Sequence, residues 1–312
     1  MIRRVAIIGT GVIGASWASY FLARGLQVTA TDPSPGAEAA LRDAVAQHWP
    51  SMVTMGLAEG ADSAGLRFVA SPEEAVRDAE FVQENAPERV DLKRELFARM
   101  DAAAPAEAVL ASSTSTIMVS QFQDACARHP ERVVLGHPFN PPHLVPLVEV
   151  AGGAQTSVAA IEGALAFYRG IGKHPIHLKR EIRGHVANRL QAALWQEAFN
   201  LVQAGVASVA DIDAAIAHGP GLRWALLGPF LNLHLSGGAG GIGALFEKPL
   251  WAATEGMWRD LGTVHVDAAL GAEVAAGVAQ ELAPHDRAEM VRQRDATLLA
   301  LLKLKAQAAE LP

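Results

Sequence analysis

The chain has 312 residues, half of them hydrophobic, and a formal net charge of −7. That length suits two domains with sizeable cores, and an acidic balance without any basic block argues against a nucleic-acid partner. The single cysteine, Cys126, rules out an intrachain disulfide and fits a reducing cytoplasm, and no apolar run approaches the roughly 20 residues of a membrane helix, so no membrane association is expected.

Residues 5–8, Val-Ala-Ile-Ile, read as a buried parallel strand. Gly9, Gly11 and Gly14 follow in a G-x-G-x-x-G spacing, and Val12 and Ile13 begin a helix that Gly25 ends. Gly9 permits the tight turn, Gly11 lets a pyrophosphate approach the backbone, and Gly14 lets the helix pack on the sheet. The free N–H groups of that helix face the pyrophosphate. Residues 27–31 form a second strand, and Asp32 stands where a carboxylate accepts bonds from the adenosine ribose. A charge there favours NAD over NADP, and residues 33–35, Pro-Ser-Pro, offer no arginine for a 2′-phosphate. The glycines and the strands that follow argue against a signal peptide after Arg3 and Arg4.

A helical region then breaks near residues 56–65, and a short strand follows at 66–69. Ser71 and Pro72 with Glu73 and Glu74 open a helix as cap, first residue and acidic first turn. Strands are expected at 80–83, 109–111, 133–135, 147–150 and 174–178, with helices at about 89–100 and 156–169. This alternation implies an α/β fold with a Rossmann-type, doubly wound and mostly parallel sheet. Ligands in such sheets lie beyond the carboxyl ends of the strands. Three polar clusters lie there: residues 84–88, 112–116 and 137–140.

His137 by itself reads as a structural histidine, but Glu149 sits within an otherwise apolar segment, 144–150. A buried carboxylate needs a partner, and imidazole is a natural one that the carboxylate would hold in one tautomer. The pair suits removal of an alcohol proton while hydride leaves for a nicotinamide. Ser112 is a candidate for bonding the reacting oxygen, against an ordinary capping role. His137, His143, His174 and His177 match no metal-ligand motif, so no metal is expected.

From about Gly184 the pattern is helical throughout, giving an all-α second domain. Asn188 lies on its first helix, facing either solvent or the interdomain cleft. Ser208 to Asp211 resembles a capping box. Residues 236–243 read as a glycine-rich connector or lid. Arg223, in a glycine-flanked turn, is expected either to bind a substrate carboxylate or to form a salt bridge at the domain interface.

GTGVIG with Asp32, ENAPE with Lys93, SSTST, GHPFNP, PLVEV and GHVANRL occur in an order that resembles the 3-hydroxyacyl-CoA dehydrogenases over nearly the whole chain. Residues 16–18 (SWA), HPFNPPHLVPLVEV and GLRWALLGPF look closer to a branch containing lambda-crystallin (L-gulonate 3-dehydrogenase) and L-carnitine dehydrogenase. The resemblance implies that His137 is the base, Glu149 its orienting acid, Ser112 the serine near the substrate oxygen and Asn188 the asparagine on the interdomain helix. It places Glu88, Lys93 and Asn140 around the nicotinamide ribose. It also implies an NAD-binding domain at residues 1–182 and a helical substrate and dimerisation domain at 183–312, hence a homodimer. One departure is the stretch 34–65, which carries one Arg against four acids, Glu38, Asp43, Glu59 and Asp62. Such a surface repels the phosphates of CoA. The expected activity is NAD-dependent oxidation at the 3-hydroxyl of a small L-3-hydroxy acid. L-gulonate-like acids come first and L-carnitine second, its trimethylammonium group held by Trp224 or Phe139 through cation–π contact. Short 3-hydroxyacyl-CoA thioesters come third. A non-catalytic, crystallin-like NAD-binding protein is the reading from another class, and the presence of both His137 and Glu149 favours an enzyme.

Overall fold

Short β-rich apolar runs alternate with amphipathic helices, so each strand can be buried on both faces. In the computed structural model, which describes residues 2–311 apart from the side chain of residue 250, these runs form one eight-stranded sheet. Its elements are β1 (Arg4–Ile8), α1 (Val12–Ala23), β2 (Gln27–Thr31), α2 (Ala37–Met55), β3 (Leu66–Phe68), α3 (Pro72–Val76), β4 (Phe81–Glu84), α4 (Val90–Ala103), β5 (Val109–Ser112), β6 (Val133–Pro138), β7 (Leu147–Gly152), α5 (Val158–Gly170) and β8 (His174–His177). Three 3₁₀ turns lie between β5 and β6. The strand order is β3-β2-β1-β4-β5-β6-β7-β8. Every neighbouring pair is parallel except β6 and β7, which run antiparallel with His137 opposite Glu149. The strand order reverses between β1 and β4, the point at which such sheets open a ligand crevice.

Most of the expected strands end one to three residues away, and two of these differences bear on the site. The fourth is shifted by one residue, so Glu84 is its last member rather than the first residue of a loop. The sixth continues to Pro138, which puts His137 inside the ladder. Trp17, Tyr20 and Phe21 of α1 pack with Phe81, Phe167 and Tyr168 to anchor the first helix to the sheet. Ser71 caps α3 as expected, its hydroxyl accepting from the Glu74 amide at 3.2 Å.

The chain forms two compact units, one ending at Arg189 and the other beginning at Leu190. Helix α6 (Ala187–Gln203) opens in the first and continues in the second. The second unit contains α7 (Val209–His218), α8 (Pro220–Trp224), α9 (Pro229–Ser236), α10 (Gly241–Phe246), α11 (Pro249–Asp260), α12 (Ala268–Leu282) and α13 (Arg287–Gln307). Ser208 caps α7, accepting from the Asp211 amide. The expected glycine-rich connector at 236–243 is instead a 3₁₀ turn running into α10, because Gly238 and Gly241 at φ 63° and 57° supply the reversals that keep the chain tightly wound. Arg223 lies on α8 rather than in an open turn, since Pro220 starts that helix with φ already set. Among the described residues no helix is long and apolar enough to cross a membrane.

Candidate active site

The glycine turn leaves β1 as its sequence requires. Gly9 has φ 86°, and a Cβ there would meet the Asn85 backbone at 2.9 Å. A Cβ on Gly14 would stand 1.9 Å from the Gly9 carbonyl oxygen, so only glycine permits this helix–turn contact. Above Gly11 a Cβ meets nothing within 4 Å. That open space lies at the N-terminus of α1, where Val12 is exposed and Ile13 half-buried. A cleft of about 600 Å³ runs past Gly9, Gly11, Asp32 and Pro87. Asp32 accepts from the Thr10 amide at 2.8 Å and from the Ser34 amide at 2.9 Å. Partial burial pushes its carboxyl up, but these amides outweigh it and hold the group below the usual range. The residues present therefore fit a dinucleotide: an uncrowded turn at a helix N-terminus, then a fixed anion at the ribose position. Arg99, not anticipated from the sequence, lines the same cleft, with its guanidinium bidentate on Glu73 at 2.6 and 3.0 Å.

The second part of the site is built by β6 and β7. Their antiparallel register places His137 directly across from Glu149. His137 Nδ1 lies 2.8 Å from Glu149 Oε2, and neither side chain is more than 5% exposed. The other carboxylate oxygen, Oε1, accepts from the amides of Val186 and Ala187 at 2.8 and 3.0 Å. Those amides open α6, so the carboxylate also sits at a positive helix end. Burial works to raise the Glu149 carboxyl, but the His137 hydrogen bond and the two amides together hold it below its ordinary value. An ionised Glu149 can only accept, so the hydrogen between the two sits on Nδ1, and the tautomer this favours presents a bare Nε2. The half-buried Ser115 places its Oγ 3.2 Å from that nitrogen.

The polar turn after β5 is ordered by Glu88. Its carboxylate accepts from the Thr114 hydroxyl at 2.8 Å and from the amides of Ser115 and Thr116 at 2.6 and 2.9 Å. Burial opposes ionisation there, and these donors with the nearby Lys93 ammonium overcome it, lowering the carboxyl from its usual value.

One expected position is corrected, and a second is more enclosed than the sequence suggests. Ser112, expected beside the reacting oxygen, is wholly enclosed and donates to Glu84 Oε2 at 2.5 Å. The serine beside the imidazole is Ser115, three residues on, because Ser112 closes strand β5 and its side chain points into the sheet layer. Lys93, expected at the ribose, is 1% exposed and lies 2.8 and 3.0 Å from the Glu84 carboxylate oxygens. A fully buried carboxylate on β4 draws the ammonium inward, leaving it 3.7 Å from Glu88. Glu84 was expected as a member of the polar cluster 84–88, without its burial or its pairing with Lys93. Asn140 is exposed, and Phe139 is half-buried with its ring edge-on to His137, centroids 5.7 Å apart. Asn188, half-buried, is in the first turn of α6, next to the amides that hold Glu149. Arg223 and Trp224 lie exposed on α8 in the second unit.

The chain matches known proteins along nearly its whole length. Residues 4–182 match the model of the 3-hydroxyacyl-CoA dehydrogenase NAD-binding domain, and residues 184–281 match that of its C-terminal domain. The chain is 48% identical to an L-carnitine dehydrogenase of Streptomyces griseus subsp. griseus, over 97% of this chain and 90% of that one. It is 47% identical to an L-carnitine dehydrogenase of Pseudomonas aeruginosa, over 96% and 93%. Among solved structures it is similar to 5-formyl-3-hydroxy-2-methylpyridine 4-carboxylic acid 5-dehydrogenase, an NAD+-dependent dismutase, with a TM-score of 0.83, 27% identity and coverage of 98% and 99%. The 3-hydroxybutyryl-CoA dehydrogenase of Escherichia coli gives a TM-score of 0.65 and 31% identity, over 76% of this chain and 50% of that one. The chain belongs to the 3-hydroxyacyl-CoA dehydrogenase family and is an NAD-dependent dehydrogenase acting on a CH–OH group.

Proposed function

We propose that the chain oxidises the 3-hydroxyl of L-carnitine, or of a closely related small trimethylammonium 3-hydroxy acid, to the 3-oxo acid. The substrate rests on one observation: relatives 43–48% identical across nearly the whole chain are L-carnitine dehydrogenases. This reverses the order expected from the sequence, in which L-gulonate came first. A CoA thioester is disfavoured by the acidic surface of α2, whose one basic residue, Arg42, is already paired with Glu38 at 2.7 Å.

In this reading NAD, held by the glycine turn and Asp32, supplies the hydride acceptor. The chain's own residues handle the proton. His137 Nε2 takes the hydroxyl proton as the C3 hydride departs, and Glu149 stabilises the imidazolium that forms. Ser115 holds Nε2 in line and gives way to the substrate hydroxyl. Asn188 bonds the reacting oxygen, and Glu88 fixes the turn bearing Ser115. Phe139 offers an aromatic face near the imidazole for the trimethylammonium group.

The second unit supports a homodimer. Few of its apolar side chains are enclosed: among the described residues from Leu190 onward, only Val202, Leu245, Leu270 and Leu299 are buried hydrophobics. Leu222, Phe230, Leu235 and Trp258 are each more than half exposed. A second copy would cover such surface. The acidic, disulfide-free chain suits the cytoplasm.

The test follows NADH absorbance with L-carnitine, L-gulonate and 3-hydroxybutyryl-CoA. The expected result is a kcat/KM for L-carnitine at least about tenfold above the others, the effect of 1.4 kcal/mol in the transition state. Preference for either of the others overturns the substrate.

A further inference from the structure

One residue of the GHVANRL motif has no part in the chemistry above. His185 is 3% exposed and has φ 53°, the only positive value outside glycine among the described residues. A non-glycine residue held in the left-handed region carries strain of order 1–3 kcal/mol and persists only where its surroundings impose it. The chain reverses there, between the Ile182 carbonyl that accepts its amide at 3.0 Å and the first turn of α6. The next two amides, Val186 and Ala187, are the ones that bond Glu149.

The side chain reaches in the other direction. His185 Nε2 lies 2.9 Å from the Thr114 carbonyl oxygen, which can only accept, so that nitrogen carries a proton. Thr114 precedes Ser115, whose hydroxyl touches His137 Nε2. The His185 ring also packs against that of His137, centroids 4.9 Å apart and planes at 51°. Burial pushes the His185 imidazole below the usual histidine range, with the Thr114 carbonyl opposing, which leaves a neutral ring on the face of His137.

We propose that His185 is a positioning residue for the His137–Glu149 pair: its backbone aims two amides at Glu149, and its ring clamps the Ser115 turn against His137. This rests on the dehydrogenase reading of the site, in which His137 takes the proton.

Two variants separate the ring from its hydrogen bond. His185→Gly keeps the left-handed backbone and removes the ring; His185→Phe keeps a ring and removes the donor. Both are purified as full chains and assayed with NAD and L-carnitine, and the apo proteins are compared by ¹⁵N NMR of the His137 imidazole. Expected is a fall in kcat of about tenfold in each, on the scale set by misplacing a reacting group by a fraction of an ångström, with KM for both substrates within about twofold. In the apo spectra Nδ1 of His137 is protonated in the parent, and mixed tautomers appear in His185→Phe, which has lost the hydrogen bond to the Thr114 carbonyl. Should His185→Gly fail to fold, His185→Phe carries the test. Wild-type kcat with an unchanged His137 spectrum overturns the proposal, as does an effect confined to KM. If the parent oxidises none of the three hydroxy compounds, the dehydrogenase substrate reading falls, while the NMR comparison still decides the role of His185.

Discussion

Lys93 and Glu84 form an ion pair closed to solvent, with Lys93 Nζ 2.8 Å from one carboxylate oxygen and 3.0 Å from the other. Glu84 also accepts from the Ala86 amide at 2.6 Å and the Ser112 hydroxyl at 2.5 Å, so its lone pairs are well used. Deleting the ammonium strands a buried carboxylate. Lys93→Met is expected to cost about 3–5 kcal/mol of stability, read by urea unfolding, whereas Lys93→Met with Glu84→Leu should recover much of it. Equal losses in the single and double variants would contradict this account.

Ser112 and Ser115 should separate cleanly. Ser112→Ala removes a donor from Glu84 and is expected to cost about 1–3 kcal/mol of stability. Ser115→Ala leaves the fold alone and is expected to lower kcat by about tenfold, the loss of one weak hydrogen bond of ~1.4 kcal/mol. Thermal melts and steady-state kinetics on the same preparations decide. A kinetic loss confined to Ser112→Ala would restore the role first expected for it.

Glu149→Gln keeps the shape of the side chain but removes the charge that faces His137 and the start of α6. The amide can present its oxygen to Nδ1 or to the α6 amides, and only weakly stabilises an imidazolium. The expected fall in kcat is about 10²–10⁴, the range of general-base catalysis, with a smaller change in KM for NAD. An activity within threefold of wild type would remove Glu149 from the proton path.

Acid should unfold the first unit. Asp32, Glu73, Glu88 and Glu149 all have carboxyls held below their ordinary values in the fold, Glu73 to about 2. A depressed folded value means that the unfolded chain binds protons first as pH falls. The stability these groups contribute is therefore complete above pH about 5 and lost progressively toward pH 2, as each is forced to protonate. Glu73 is partly exposed, so solvent screening makes its share small despite its large shift. Urea midpoints measured from pH 7 to pH 3 should fall steadily, and Glu149→Gln should flatten the curve. A flat profile in the parent would refute the assignment.

Much of this was legible in the residues. The glycine turn, Asp32 and the alternation of strands and helices depend on local rules, and the observed strands follow them to within a few residues. His137 and Glu149 were paired on the strength of a buried carboxylate needing a partner; the antiparallel register that makes them face each other is a tertiary fact. Ser112 was set beside the reacting oxygen by matching SSTST to a family motif; strand β5 runs one residue further than expected, and Ser112 is enclosed against Glu84. Ser115 and His185 gave no periodic signal; only the folded path of residues 114–116 and the left-handed turn at 185 bring them to the imidazole. Arg223 was assigned to a turn because flanking glycines outweighed Pro220 as a helix start.

The single antiparallel step between β6 and β7 has a mechanical consequence. Base and acid are rungs of one ladder, so no hinge lies between them and thermal motion of loops leaves their spacing alone. The group suggested to grip the substrate, Phe139, comes from outside that ladder. Preference for one alcohol over another can then drift by changes in that outlying segment while the proton-transfer machinery is inherited intact.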